Sequence, residues 1–189
     1  MSSTRTKVGV DLGLTDDEKN ELLRIARTVV EKAAHREPVP EFVPKTERLK
    51  EPRGAFICVK KNGMLRGCIG CLEQDTPVYK TVAEMAEAAA FRDPRFRPLE
   101  PDELACLELE ISVLTPLEQI QDVTRIEVGL HGLMIVKGSR SGLLLPQVAA
   151  ERNWDTRTFL EETCRKAGLP RDAWTDKESA IYVFSADVF

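Results

Sequence analysis

The sequence predicts an α+β protein built largely on antiparallel sheet, and three patterns carry that reading. An Asn62-Gly63 dipeptide lies between two apolar stretches, the signature of a hairpin closed by a tight turn with positive φ angles. Apolar residues recur at helical spacing after Thr15, Thr76 and Thr156. Leu107, Leu109, Ile111 and Val113 alternate with Glu108, Glu110 and Ser112, the period of a strand with one wet face.

Taken in order, Thr15-Asp16-Asp17-Glu18 reads as a capping box, and Leu22, Ile25, Ala26, Val29, Val30 and Ala33 continue it as an amphipathic helix to about His35. Residues 37–53 hold Pro38, Pro40, Pro44 and Pro52 among charges, so an extended surface connector follows. The hairpin spans 54–72. With Asn62 and Gly63 as its central residues, Lys61 opposes Met64 and Ile57 opposes Cys68. A helix opens at Thr76 with Pro77 in its first turn, where a missing N–H costs nothing, and buries Val78, Val82, Met85, Ala86 and Ala89. The loop 92–98 and the alternating strand complete the first half.

The second half repeats the order strand, strand, helix, strand: 132–136 and 142–145 flank a turn at Gly138, 156–167 is helical and closed by Gly168 and Pro170, and 180–184 is a short apolar strand. This predicts one domain with an N-terminal helix and connector over 15–53, a first repeat over 54–116 and a second over 130–189. Identity between the halves is slight, so a structural duplication is inferred from element order alone. Neither half buries a sheet easily by itself, so the hairpins share one antiparallel sheet or form two sheets meeting at a cleft.

A chain of 189 residues, 42% apolar and 31% charged, buries roughly 70% of its unfolded surface, which excludes disorder. Met1 to Gly13 lack the basic and apolar regions of a signal peptide, and no apolar run approaches the roughly 18 residues that span a bilayer, so the expected compartment is the cytoplasm. Five cysteines at irregular spacing then read as reduced thiols. A net charge of −4 argues against a non-specific nucleic-acid binder.

Cys68-Ile69-Gly70-Cys71 has the CxxC spacing of redox and zinc sites. On a strand, however, residues three apart point to opposite faces, and no second ligand pair exists. Neither metal nor cofactor is predicted. Cys58, Cys71, Cys106 and Cys164 read as small apolar fillers. Cys68 differs, because Arg66, Cys68 and Gly70 share a face and Gly67 and Gly70 bracket the thiol. Those glycines either let a ligand approach the backbone or belong to a bulged strand relieved of crowding against a helix. Arg92, Asp93, Arg95 and Arg97 lie on a stiff loop with Phe96 as its anchor; they clamp an anion or form a solvated surface, and Asp93 orients an arginine, acts as a base or initiates the turn. His131 at the mouth of the second hairpin, and Gln147 and Glu151 just after it, occupy places matching the acidic turn 73–75 of the first half.

The string Leu65-Arg66-Gly67-Cys68-Ile69-Gly70 resembles the hallmark of the AMMECR1 domain family. Further blocks match in order: Gly54-Ala55-Phe56, Asp93-Pro94-Arg95-Phe96 with Pro98, 111–116, His131-Gly132-Leu133, 142–148 and 164–169. The resemblance covers nearly the whole chain from Thr15 onward and is similar in length to the stand-alone prokaryotic form. It implies a two-lobed α+β protein with a groove between lobes, and association with a Memo-like protein and a radical SAM enzyme in the AmmeMemoRadiSam system. It supplies no settled reaction. The CxxxCxxC of the radical enzyme is absent from this sequence.

Two functional expectations follow. In the first, Cys68 acts as nucleophile or contact in a pocket lined by Arg66, Gly67, Gly70, Asp93 and Arg95, with His131, Gln147 and Glu151 as further ligand-binding candidates, and the ligand is a small anion or a modified side chain. In the second, the same residues form the recognition surface of a non-catalytic adaptor. RNA binding through the arginine loop is a weaker third, since few aromatics interleave with the basic residues.

Overall fold

The computed structural model describes residues 8–189 and divides into two compact units. One holds residues 12–114 with Asp187–Phe189, the other the segment up to Asp11 with Thr115–Ala186. The N-terminal reading of 1–13 falls partly on residues 1–7, outside the described residues. Among the described residues no helix is long and apolar enough to cross a membrane.

In the 12–114 unit, helix α1 (Asp16–Ala34) starts at the expected capping box. The Thr15 hydroxyl accepts the Glu18 N–H, and the Glu18 carboxylate accepts the Thr15 N–H at 2.9 Å. Strands β1 (Ala55–Lys61) and β2 (Met64–Cys71) form the hairpin, with Asn62 and Gly63 at φ 51° and 75°. Helix α2 (Val78–Phe91) begins one residue after Pro77, and β3 (Leu107–Leu114) pairs antiparallel with β1, which is thus central. Ala55, Ile57 and Val59 of β1, with Ile111 and Val113 of β3, meet Leu22, Ile25 and Val29 of α1 and Val82 and Ala86 of α2 in one core. The connector carries one short 3-10 turn, Arg48–Lys50, whose Leu49 is fully buried.

In the other unit, β4 (Glu118–Ile120), β5 (His131–Lys137) and β6 (Arg140–Leu144) precede α3 (Pro146–Glu151), α4 (Thr156–Lys166) and β7 (Ala180–Val188). Here β5 lies between β6 and β7, all antiparallel, and β4 adds to β7. Its core gathers Leu133, Ile135, Ile181 and Val183 from the strands with Phe159, Leu160 and Cys164 from α4. The sequence reading contains neither β4 nor α3, both too short to show a period.

The hairpin corrects the register expected from its turn. Lys61 opposes Met64 and Lys60 opposes Leu65, but the pairing then shifts by one residue, so Val59 meets Gly67 and Arg66 is the extra residue of a β-bulge. Ile57 therefore faces Ile69, and Cys58 faces Cys68. Cys58 does not share a face with Cys71, which packs with Ile69 on the helix side.

Candidate functional site

The bulge makes the centre of the hairpin chemically distinctive. Cys58 and Cys68, directly opposite with Cα atoms 4.1 Å apart, are joined as a disulfide. This corrects the expectation of five reduced thiols, and with it the reading of Cys58 as a filler and of Cys68 as a free thiol. The CxxC pair does diverge to opposite faces, as the strand geometry requires. Cys71, Cys106 and Cys164 are free thiols; Cys106 is exposed, and burial pushes the Cys164 thiol up.

Cys68 is gripped on its outer side by the loop after α2. Its N–H donates to Asp93 Oδ2 at 2.8 Å, and its carbonyl accepts from an Arg95 terminal nitrogen at 3.3 Å. Within this unit β2 has a strand partner on one side only, so two side chains satisfy backbone groups that a further strand would otherwise take. Asp93 is buried and accepts Arg95 Nε at 2.9 Å, an Arg95 terminal nitrogen at 2.7 Å and the Arg95 backbone N–H at 3.1 Å. Arg95 hydrogen bonding, helped by the Cys68 N–H, holds the Asp93 carboxyl far below the usual carboxylate range despite burial. Asp93 is therefore a fixed anion and no proton acceptor near neutral pH.

Arg66, thrown outward by the bulge, is equally committed. Its Nε and a terminal nitrogen contact the two Glu103 carboxylate oxygens at 3.1 and 3.0 Å, and it donates to the carbonyls of Arg97 at 2.9 Å and Pro98 at 3.4 Å. Glu103 also takes Lys61 Nζ at 2.9 Å, and Arg66 with Lys61 lowers its pKa to about 2. The Phe96 ring lies beneath both Arg66 and Arg95, 5.9 and 5.4 Å from their guanidinium carbons, which gives the expected anchor its role. Sequence reasoning missed Glu103; its signal was Glu100-Pro101-x-Glu103, a capping box on the 3-10 turn Pro101–Cys106.

Both glycines are explained by close packing. A Cβ at Gly67 would overlap the Ala89 carbonyl of α2, and one at Gly70 would overlap the ring of Phe56, its cross-strand partner. The reading of a bulged strand relieved of crowding thus accounts for both glycines. On the Cys58–Cys68 face stand Lys60 and, opposite Cys58, Glu110, paired at 2.8 Å. Arg66, Gly67, Cys68, Gly70, Asp93 and Arg95 come together in this unit. His131, Gln147 and Glu151 belong to the other: His131 Nδ1 accepts the Glu127 N–H at 3.1 Å, Gln147 is buried in the first turn of α3, and Glu151 ends that helix in solvent. Among the described residues, no group of three or more His, Cys, Asp or Glu side chains could hold a metal.

The AMMECR1 family model matches residues 23–189. Protein MK0488 of Methanopyrus kandleri is 43% identical over 185 residues, covering 93% of this chain and 89% of the relative. A protein of Aquifex aeolicus is 43% identical over 158 residues, 80% of each chain. The crystal structure of uncharacterized protein PH0010 from Pyrococcus horikoshii superposes with a TM-score of 0.89 at 37% identity, over 93% of this chain and 92% of that one. With a family model matching residues 23–189 and relatives 43% identical over 80% or more of the chain, the chain belongs to the AMMECR1 family.

Proposed function

We propose that the first hairpin is a dithiol–disulfide site that exchanges with a sulfur group of a partner, acting beside the Memo-like and radical SAM proteins that the family resemblance implies. The observation that supports this is the pairing of Cys58 with Cys68 across the centre of the hairpin. Cys68 is the more exposed residue of the pair, half-buried where Cys58 is buried. An incoming thiolate attacks Cys68 Sγ; a mixed disulfide forms as the Cys58–Cys68 bond breaks, and the electron pair leaves on Cys58 Sγ, which takes a proton from solvent. A second thiolate of the partner then attacks the partner sulfur of the mixed disulfide; the partner's own disulfide forms as the bond to Cys68 breaks, and Cys68 leaves as a thiolate, so the hairpin pair ends reduced and the partner oxidised. The Asp93–Arg95 grip fixes Cys68 throughout. An anion-binding pocket has less support, because the charges of Arg66 and Arg95 are matched by Glu103 and Asp93.

The test is glutathione disulfide added to the reduced protein. Wild type closes the Cys58–Cys68 bond and retains no glutathione on either, whereas Cys58→Ser holds it on Cys68. Stable glutathione on Cys68 of wild type, or modification of Cys106 alone, contradicts the reading. The adaptor reading keeps one supporting observation, the exposed Met64 and Leu65 at the hairpin tip. In that case Cys68→Ser leaves partner capture intact while Met64→Asp abolishes it.

A further inference from the structure

We propose that the 115–186 unit carries a ligand site unrelated to the hairpin: a cleft of about 340 Å³ where the end of β6 meets α3 and α4, which takes a small anion with a planar apolar body. The volume lies at the small end of the range for ligand pockets, about 300 to 1,000 Å³. Its floor is apolar. Leu144 and Trp154 pack inward against the unit's core and remain half-buried, and Val148 of α3 adds a third apolar surface.

The rim is cationic. Arg152, Arg165 and Lys166 line the cleft against a single carboxylate, Glu162. Glu162 is already matched, by Arg165 at 2.8 Å and by Arg171 at 3.0 Å. Arg152 and Lys166 are exposed and have no acidic partner among the described residues. The Arg152 guanidinium carbon stands 5.3 Å from the centre of the Trp154 ring, so a cation and an aromatic surface meet at one point.

Lys166 ends α4 and Arg152 caps α3, and a helix C-terminus favours cations. That preference accounts for each residue singly. It does not account for the apolar floor between them or for Trp154. In a chain of net charge −4, two unmatched cations beside a tryptophan-lined recess select a carboxylate or phosphate carried on a flat ring.

The test uses 2-naphthoate and its uncharged analogue 2-naphthylmethanol, read by the indole N–H resonances of Trp154 and Trp174, assigned with Trp174→Phe. Naphthoate shifts the Trp154 signal saturably, leaves Trp174 in place and binds about tenfold more tightly than the alcohol. Arg152→Glu with Lys166→Glu weakens naphthoate by about tenfold or more, while the loss of two helix C-terminal cations lowers the melting midpoint by only a few degrees. No shift of Trp154 at millimolar naphthoate, or equal affinity for acid and alcohol in wild type, overturns the proposal without reliance on any variant.

Discussion

Two buried carboxylates, Glu103 and Asp93, organise the charge around the hairpin, and each is matched by a guanidinium and further donors. Breaking such a pair strands the other charge, so Glu103→Gln is expected to lower stability by about 3 kcal/mol in urea unfolding at pH 7. The pH dependence follows from the direction of the shift. With its folded pKa depressed to about 2, Glu103 contributes stability that is full above the unfolded value near 4.5 and is lost as pH falls toward 2, on the order of 3 kcal/mol. Asp93 acts in the same sense. Glu103→Gln therefore flattens the acid-unfolding slope between pH 4.5 and 2, and an unchanged slope would mean that Glu103 is not held as described. The sequence marked Arg66, Asp93 and Arg95 as notable because they are concentrated near glycines and prolines. Glu103 was not marked, because its partners lie 37 and 42 positions away and pairing over that distance leaves no local trace.

At the scale of elements, the hairpin shows where local chemistry stops determining structure. The Asn62-Gly63 turn was legible and fixes the first two cross-strand pairs. Beyond them the register depends on whether α2 can lie against Gly67 and whether Phe56 can lie over Gly70, which are tertiary facts. A bulge was among the readings of the glycine-bearing strand, yet its consequence, the shift that brings Cys58 opposite Cys68, needs the helix in place. Glycine serves again in the other unit, where Gly142 admits the Ala167 backbone and Gly132 lies under Phe184. Gly70→Ala is expected to cost about 2 kcal/mol, with much of that cost absent in a Phe56→Leu background, because a side chain is what the new methyl meets. Gly67→Ala meets backbone instead, and is expected to cost about 3 kcal/mol with no rescue from Phe56→Leu. Purely additive Gly70 and Phe56 effects in a double-mutant cycle would remove the stacking account.

For the whole molecule, element order was the most legible level: α1, the two hairpins, the long helices and the last strand all stand where periodicity and turn residues placed them. The closing strand runs further than its apolar core suggested, to Val188, and its end rejoins the 12–114 unit. There Phe189 exchanges backbone hydrogen bonds with Ile111, and buried Asp187 pairs with Lys19 at 2.7 Å. A charged residue at a chain terminus gives no sequence signal of burial. Composition pointed to reduced thiols because it carries compartment statistics and no positions. The structure places two of the five thiols against each other, and a cross-link closing so short a loop, ten positions, stabilises by about 3 kcal/mol in the chain-entropy account. Reduction is accordingly expected to lower the urea midpoint of wild type and to leave Cys58→Ser/Cys68→Ser unmoved.

The most direct test of the central claim is thiol mapping by mass spectrometry of the native protein, alkylated without reductant and again after mild reduction. The account predicts one disulfide-linked peptide pair, Cys58 with Cys68, alongside alkylated Cys106, and alkylation of Cys68 only after reduction. Alkylation of Cys68 without reductant in protein purified under air, or a cross-link joining Cys68 to any other cysteine, would contradict it.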